Sequence, residues 1–125
     1  MPNAPPFWHI SIGLCEYSKD AAPIRSRMFL LGDVLSAASR DQLIGWMKQT
    51  TTGLSRLRAG LPQDWSAGDK TGTGANGAAN DVAITWPPQR KPILIAAYLS
   101  GSSASADARN AAHAGIATAI AGRMA

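Results

Sequence analysis

One cysteine leaves this chain nothing to pair it with. Cys15 has no second thiol, so an internal disulfide and a cysteine-rich zinc site are both excluded. Glutamate is as scarce: Glu16 is the only one. No apolar run reaches the length that spans a bilayer. The start does not read as a signal peptide, because Pro2, Pro5 and Pro6 stand where basic residues would be and no long apolar stretch follows. Charged residues make up 16% of the chain and hydrophobic residues 46%, a balance that favours a folded domain over disorder. Its 125 residues suffice for one core. The net charge of +4 favours anionic ligands in general. No Lys/Arg stripe is interleaved with aromatics, which argues against a nucleic-acid partner.

Residues 1–28 differ from the rest. They hold Pro2, Pro5, Pro6 and Pro23 together with Cys15 and Glu16, and they read as loop or tail without assignment. Residues 29–125 read as one domain. Ser39-Arg40-Asp41-Gln42 fits a capping box, and Leu43, Ile44 and Met47 then form one helical face, which predicts a helix over about 40–51 with Gly53 as its stop. A strand is expected over 66–74, followed by an Asn76-Gly77 turn. Val82, Ile84 and Trp86 alternate with Ala83 and Thr85, as in a strand with one buried face, and Pro87-Pro88 stops it. Ile93 to Leu99 is apolar on both faces and belongs inside a sheet. Ser105 or Asp107 then caps an Ala-rich helix that presents Ile116, Ile120 and Met124, with His113 as a solvent or packing residue. His9 reads as a surface or packing residue rather than a metal ligand. The expected fold is α+β, a three-stranded antiparallel meander flanked by helices.

Two glycine patterns can be set aside. Gly72-Thr73-Gly74-Ala75-Asn76-Gly77 matches the dinucleotide fingerprint in letters, but a strand follows it where a helix is required. A P-loop needs glycine before the lysine, and that position is Asp69. What remains is Asp69-Lys70-Thr71-Gly72-Thr73-Gly74. On a strand edge, Lys70 sets a fixed positive charge beside an anionic substrate. The Thr71 hydroxyl can donate to a carboxylate. Gly72 lets a ligand approach the backbone.

The surroundings extend this pattern. Leu31-Gly32-Asp33, Ser39-Arg40-x-Gln42-Leu43-Ile44-x-Trp46-Met47, Thr52-Gly53, Leu57-Arg58-Ala59-Gly60-Leu61-Pro62-x-x-Trp65, Asp69 to Gly74 and Asn80-Asp81-Val82-Ala83 resemble, in order and spacing, the carboxy-terminal part of class A serine β-lactamases. The resemblance runs from about Leu30 to the C-terminus. It implies the α/β part of the β-lactamase and transpeptidase-like fold, a β-lactam as the small-molecule ligand, no metal, no cofactor, and a bacterial parent that is periplasmic or secreted. By the same resemblance Lys70 is the catalytic lysine of the walling strand. Thr71 and Gly72 bind substrate beside it, and Thr73 offers the backbone N–H that completes an oxyanion hole. Arg56 or Arg58 lies on the approach. Arg56 matches the arginine that binds the substrate carboxylate in some members, since the stretch where others supply one, Ala78-Ala79-Asn80, has none.

The other motifs of such a site are not in the sequence. No serine has lysine three residues later, Ser-Asp-Asn does not occur, and Glu16 lies in Glu-Tyr-Ser-Lys rather than in the setting of a deacylating glutamate. An acyl-transfer site without its nucleophile has nothing to start the reaction. The chain is therefore expected to be a fragment inactive alone, the product of a truncated or frame-disrupted gene. Two alternatives stay open: a part that regains activity with a complementing N-terminal part, and a non-catalytic anion-binding or structural α+β domain. An isolated meander is also expected to expose strand edges and an apolar face.

Overall fold

The computed structural model describes residues 9–16 and 25–124. Its elements run β1 (His9–Glu16), α1 (Arg25–Leu30), α2 (Ala37–Gln49), α3 (Leu57–Gly60), β2 (Ser66–Thr73), β3 (Ala79–Trp86), β4 (Ile93–Ser100) and α4 (Ala106–Met124). The last three strands form the antiparallel meander that the sequence implies. β1 adds a fourth strand against β4, so the sheet order is β1-β4-β3-β2. This corrects the reading of residues 9–16 as loop; residues 1–8 and 17–24 lie outside the described residues. His9-Ile10-Ser11-Ile12-Gly13-Leu14 does alternate, but its partner lies far along the chain, His9 opposite Ser100 and Glu16 opposite Ile93, so no hairpin signal accompanies it. β1 also occupies the β4 edge, leaving β2 as the other edge among the described residues. No described helix is long and apolar enough to cross a membrane.

α2 starts before the Ser39 box. Ser36 is the cap, its Oγ accepting the Ser39 N–H at 3.2 Å. The helix gains a turn through Ala37 and Ala38, both strong helix formers. It ends at Gln49 because Thr50 turns extended while its N–H still reaches Trp46 O at 3.1 Å. Gly53 is therefore not the stop. A Cβ there would run into the Asp69 carboxylate, so glycine is what lets this loop lie directly on β2. Gly53→Ala should cost about 2 kcal/mol by overpacking, read as a lowered urea midpoint with an unchanged slope.

The β2–β3 turn carries two left-handed residues in a row, Asn76 at φ 55 and Gly77 at φ 66, the geometry that favours Asn-Gly in tight hairpins. β3 is covered on both faces, where alternation implies one. Ala83 and Thr85 are fully buried beneath the α3/α4 layer, in a cluster that joins Ala83 to Leu57, Ile93, Ile95, Ala97 and Ala117. Small residues read as an exposed face in sequence, yet here they let helices pack close. On the opposite face Ile84 and Leu94 meet Leu30 and Met47. β4 is buried on both faces from Ile93 to Ala97, as its apolar run implies. Ser105 caps α4, its Oγ accepting the Ala108 N–H at 3.2 Å. His113 is a packing residue, its ring Nε2 bonded to Ala79 O at 2.9 Å.

Candidate active-site wall

Alternation along β2 sends Lys70 and its neighbours to different sides. Lys70 pairs across the sheet with Val82 and faces α2, where Phe29, Leu30, Leu43, Met47, Val82 and Lys70 itself line an apolar cavity of about 290 Å³. Its ammonium is exposed and donates to Thr71 O at 2.5 Å. Thr71 and Thr73 lie on the other face. Thr71 Oγ1 donates to Thr52 Oγ1 at 2.8 Å, and Thr73 Oγ1 accepts from Arg56 Nη2 at 2.6 Å.

Arg56 precedes α3 and is buried at 8% exposure, where sequence reasoning expects a carboxylate partner on the approach. Its Nη1 donates to Asn80 O at 2.7 Å and Gly72 O at 3.3 Å, and its Nε to Asn110 Oδ1 at 3.0 Å. One guanidinium thus joins β2, β3 and α4. The fork geometry of arginine suits such multiple bonding, whereas lysine offers a single point. Arg56, Thr73, Ala79, Ala106, Arg109 and Asn110 enclose a second, small cavity of about 50 Å³. Arg58 has another role. It donates to Thr50 O at 2.9 Å and Lys48 O at 3.2 Å, closing the C-terminal end of α2, and pairs with Asp69 Oδ1 at 3.3 Å.

Behind the wall Asp81 is fully buried, its Oδ2 accepting the Leu57 N–H at 3.1 Å. Burial, with the hydrogen bond and charge of Asp69 beside it, pushes its carboxyl up to about 8, against the opposing pull of the Leu57 N–H and Arg56. Burial lowers His113, partly offset by its bond to the Ala79 carbonyl. The structure brings Arg56, Gly72 and Thr73 together and leaves Lys70 on the opposite face, beside an apolar cavity. Sequence reasoning missed Asn110, Thr52 and the Asp69–Asp81 pair as partners of the wall. The one signal for the pair was an aspartate on each of two adjacent strands, a residue type depleted there.

An antiparallel sheet with helices on both faces and Lys-Thr-Gly on its edge strand defines an α+β architecture. Residues 18–124 match the Beta-lactamase enzyme family, and the chain belongs to it. It is 53% identical over 85 residues to Beta-lactamase AST-1 of Nocardia asteroides, a match covering 68% of this chain and 27% of that protein. It is 52% identical over 69 residues to Carbapenem-hydrolyzing beta-lactamase KPC of Klebsiella oxytoca, covering 54% of this chain and 24% of the relative. Among solved structures, the class A β-lactamase of the last common ancestor of Gram-negative bacteria superposes with TM-score 0.78 at 53% identity, over 81% of this chain and 38% of that one. The class A enzyme PenP from Rhodopseudomonas palustris superposes with TM-score 0.78 at 51% identity, over 80% of this chain and 38% of its own. The fold is thus that of class A β-lactamases, and the chain spans roughly a quarter of the curated relatives and less than two fifths of the solved chains.

Proposed function

We propose that this chain supplies the substrate-facing wall of a class A serine β-lactamase and does not turn over β-lactams by itself. The observation that carries this reading is Lys70-Thr71-Gly72-Thr73 on an edge strand whose Gly72 and Thr73 are held by Arg56. In the parent reaction a serine opens the β-lactam amide and water releases the acyl group. Lys70, its ammonium exposed at the strand edge, would give the positive charge that draws the substrate acid. Thr71 Oγ1 would turn its hydrogen from Thr52 Oγ1 to the substrate carboxylate, and the Thr73 N–H would face the developing oxyanion. Arg56 has one Nη2 hydrogen beyond the one given to Thr73, and would favour a carboxylate from behind that hydroxyl.

The attacking serine and its base would come from outside these 125 residues, which hold neither Ser-x-x-Lys nor Ser-Asp-Asn. The apolar cavity beside Lys70 supports a complementing N-terminal part as that partner, because it sets buried-type side chains next to the lysine. The test mixes the purified chain with the N-terminal part of a relative such as AST-1 and follows a chromogenic cephalosporin. The chain alone should give no turnover and the mixture should. Lys70→Ala in the mixture should lower kcat about a hundredfold, the scale of losing one preorganised electrostatic group. A mixture that stays inactive, while the chain still binds penicillin through Lys70, leaves a binding domain instead. Turnover by the chain alone overturns the reading.

A further inference from the structure

Among the described residues, three buried side-chain atoms lack a hydrogen-bond partner: Asp69 Oδ2, Asp81 Oδ1 and His113 Nδ1. Two of them belong to one pair. Asp69 opposes Ala83 and Asp81 opposes Thr71, so the two aspartates lie diagonally on one face of the sheet. Both are fully buried. Each has its other oxygen occupied, Asp69 Oδ1 by Arg58 at 3.3 Å and Asp81 Oδ2 by the Leu57 N–H at 3.1 Å. The hydrogen bond and charge of Asp69 are among the causes that raise the Asp81 carboxyl. Gly53 lies against Asp69 Oδ2. Two ionised carboxylates have only acceptors to offer, and side by side in a buried site they repel. A single hydrogen turns the same contact into a charge-assisted O–H···O bond.

We propose that Asp69 and Asp81 hold one proton between them, Asp81 Oδ1–H donating to Asp69 Oδ2, and that this proton positions the Lys-Thr-Gly strand. With it, β2, β3 and α3 are joined through Asp69, Asp81 and the Leu57 N–H. Without it, two adjacent buried charges push β2 off its seat. The charged and titratable groups around the pair are Arg56 and Arg58 from the α3 region and His113 from α4; on β4 the facing residue is Ala97, which does not titrate.

The sign follows from proton counts. Between 3.8 and about 8 the folded Asp81 keeps a proton that the unfolded chain has released, so stability falls as pH rises through that window and levels off above it. His113 acts oppositely, chiefly below about 7.5, where the unfolded chain still takes up the proton that the folded chain refuses and stability falls as pH drops. From pH 6.5 to about 8 this opposition fades and Asp81 dominates. The unfolding constant should rise there on the order of tenfold.

Carboxyl-carbon NMR of the whole labelled chain across the pH range tests this. One aspartate should titrate near 8, and the Lys70 to Thr73 amide shifts should move with the same midpoint. Asp81→Asn keeps a donor for Asp69 and an acceptor for the Leu57 N–H but carries no titrating proton. It should hold its Tm at pH 6.5, lose the alkaline fall, and leave those amide shifts fixed. The proposal is overturned if every aspartate titrates below about pH 5, if the 70–73 amides ignore the transition, if Asp81→Asn keeps the alkaline fall, or if the chain shows collapsed amide peaks at pH 6.5. None of these readouts uses β-lactam turnover, so they fail or succeed apart from the proposed function.

Discussion

Arg56→Ala should strip the chain of much of its stability, one of the two largest losses expected of a single substitution. The change strips partners from Gly72 O, Asn80 O, Thr73 Oγ1 and Asn110 Oδ1 at once. A hydrogen bond to a charged group is worth about 1.5–3 kcal/mol, and a buried acceptor left bare costs a similar amount. Not all four add, because neighbouring effects overlap. A loss of about 4 kcal/mol is still close to the whole stability of a small domain. Arg56→Lys should recover little of it, since a single ammonium cannot bridge acceptors on two strands and a helix. Urea melts of the three chains check this. A Tm for Arg56→Ala within about 3 °C of the parent, less than 1 kcal/mol at this size, would show that the arginine is not the tether described.

Leu57→Ala should come next, at about 4 kcal/mol, the upper part of the range for removing a buried leucine. Leu57 is fully buried against Ala83, Ile93, Ile95, Ala97 and Ala117, with Leu61, Trp65 and Ile116 around them. Most of the first group are rigid sheet positions or alanines, which cannot swing in to fill the hole. Leu57→Met should cost under about 1.5 kcal/mol by conserving volume. Leu54→Ala, three residues earlier and 54% exposed, should change stability by less than about 0.5 kcal/mol. Equal effects at positions 54 and 57 would place the core elsewhere.

Much of the architecture is legible in the sequence, for physical reasons. Ile93 to Leu99 reads as an inner strand because its apolar residues have no polar face. Asn76-Gly77 reads as a turn because both residues tolerate the left-handed backbone that they adopt. β1 is not legible, because its ladder closes across most of the chain and local pattern carries no trace of a distant partner. The second buried face of β3 is hidden by side-chain size: Ala83 and Thr85 are weak hydrophobic signals that become core when Leu57 and Ala117 pack on them. In the wall, the Lys-Thr-Gly motif is visible because it and its flanking stretches resemble, in order and spacing, the class A β-lactamase pattern. The surroundings of Arg56 are not, because three of its four acceptors are a backbone carbonyl, a second backbone carbonyl and a helix asparagine remote in sequence.

That choice of acceptors shapes how the wall can drift. Every amino acid brings a carbonyl, so as far as this tether is concerned positions 72 and 80 are free to change identity, and a serine at 73 would keep the hydroxyl. Asn80 answers to a separate constraint, its Oδ1 accepting the Leu99 N–H at 3.2 Å. The junction of two strands and a helix thereby asks for particular side chains at residues 56, 73 and 110, and only for a backbone at 72 and 80.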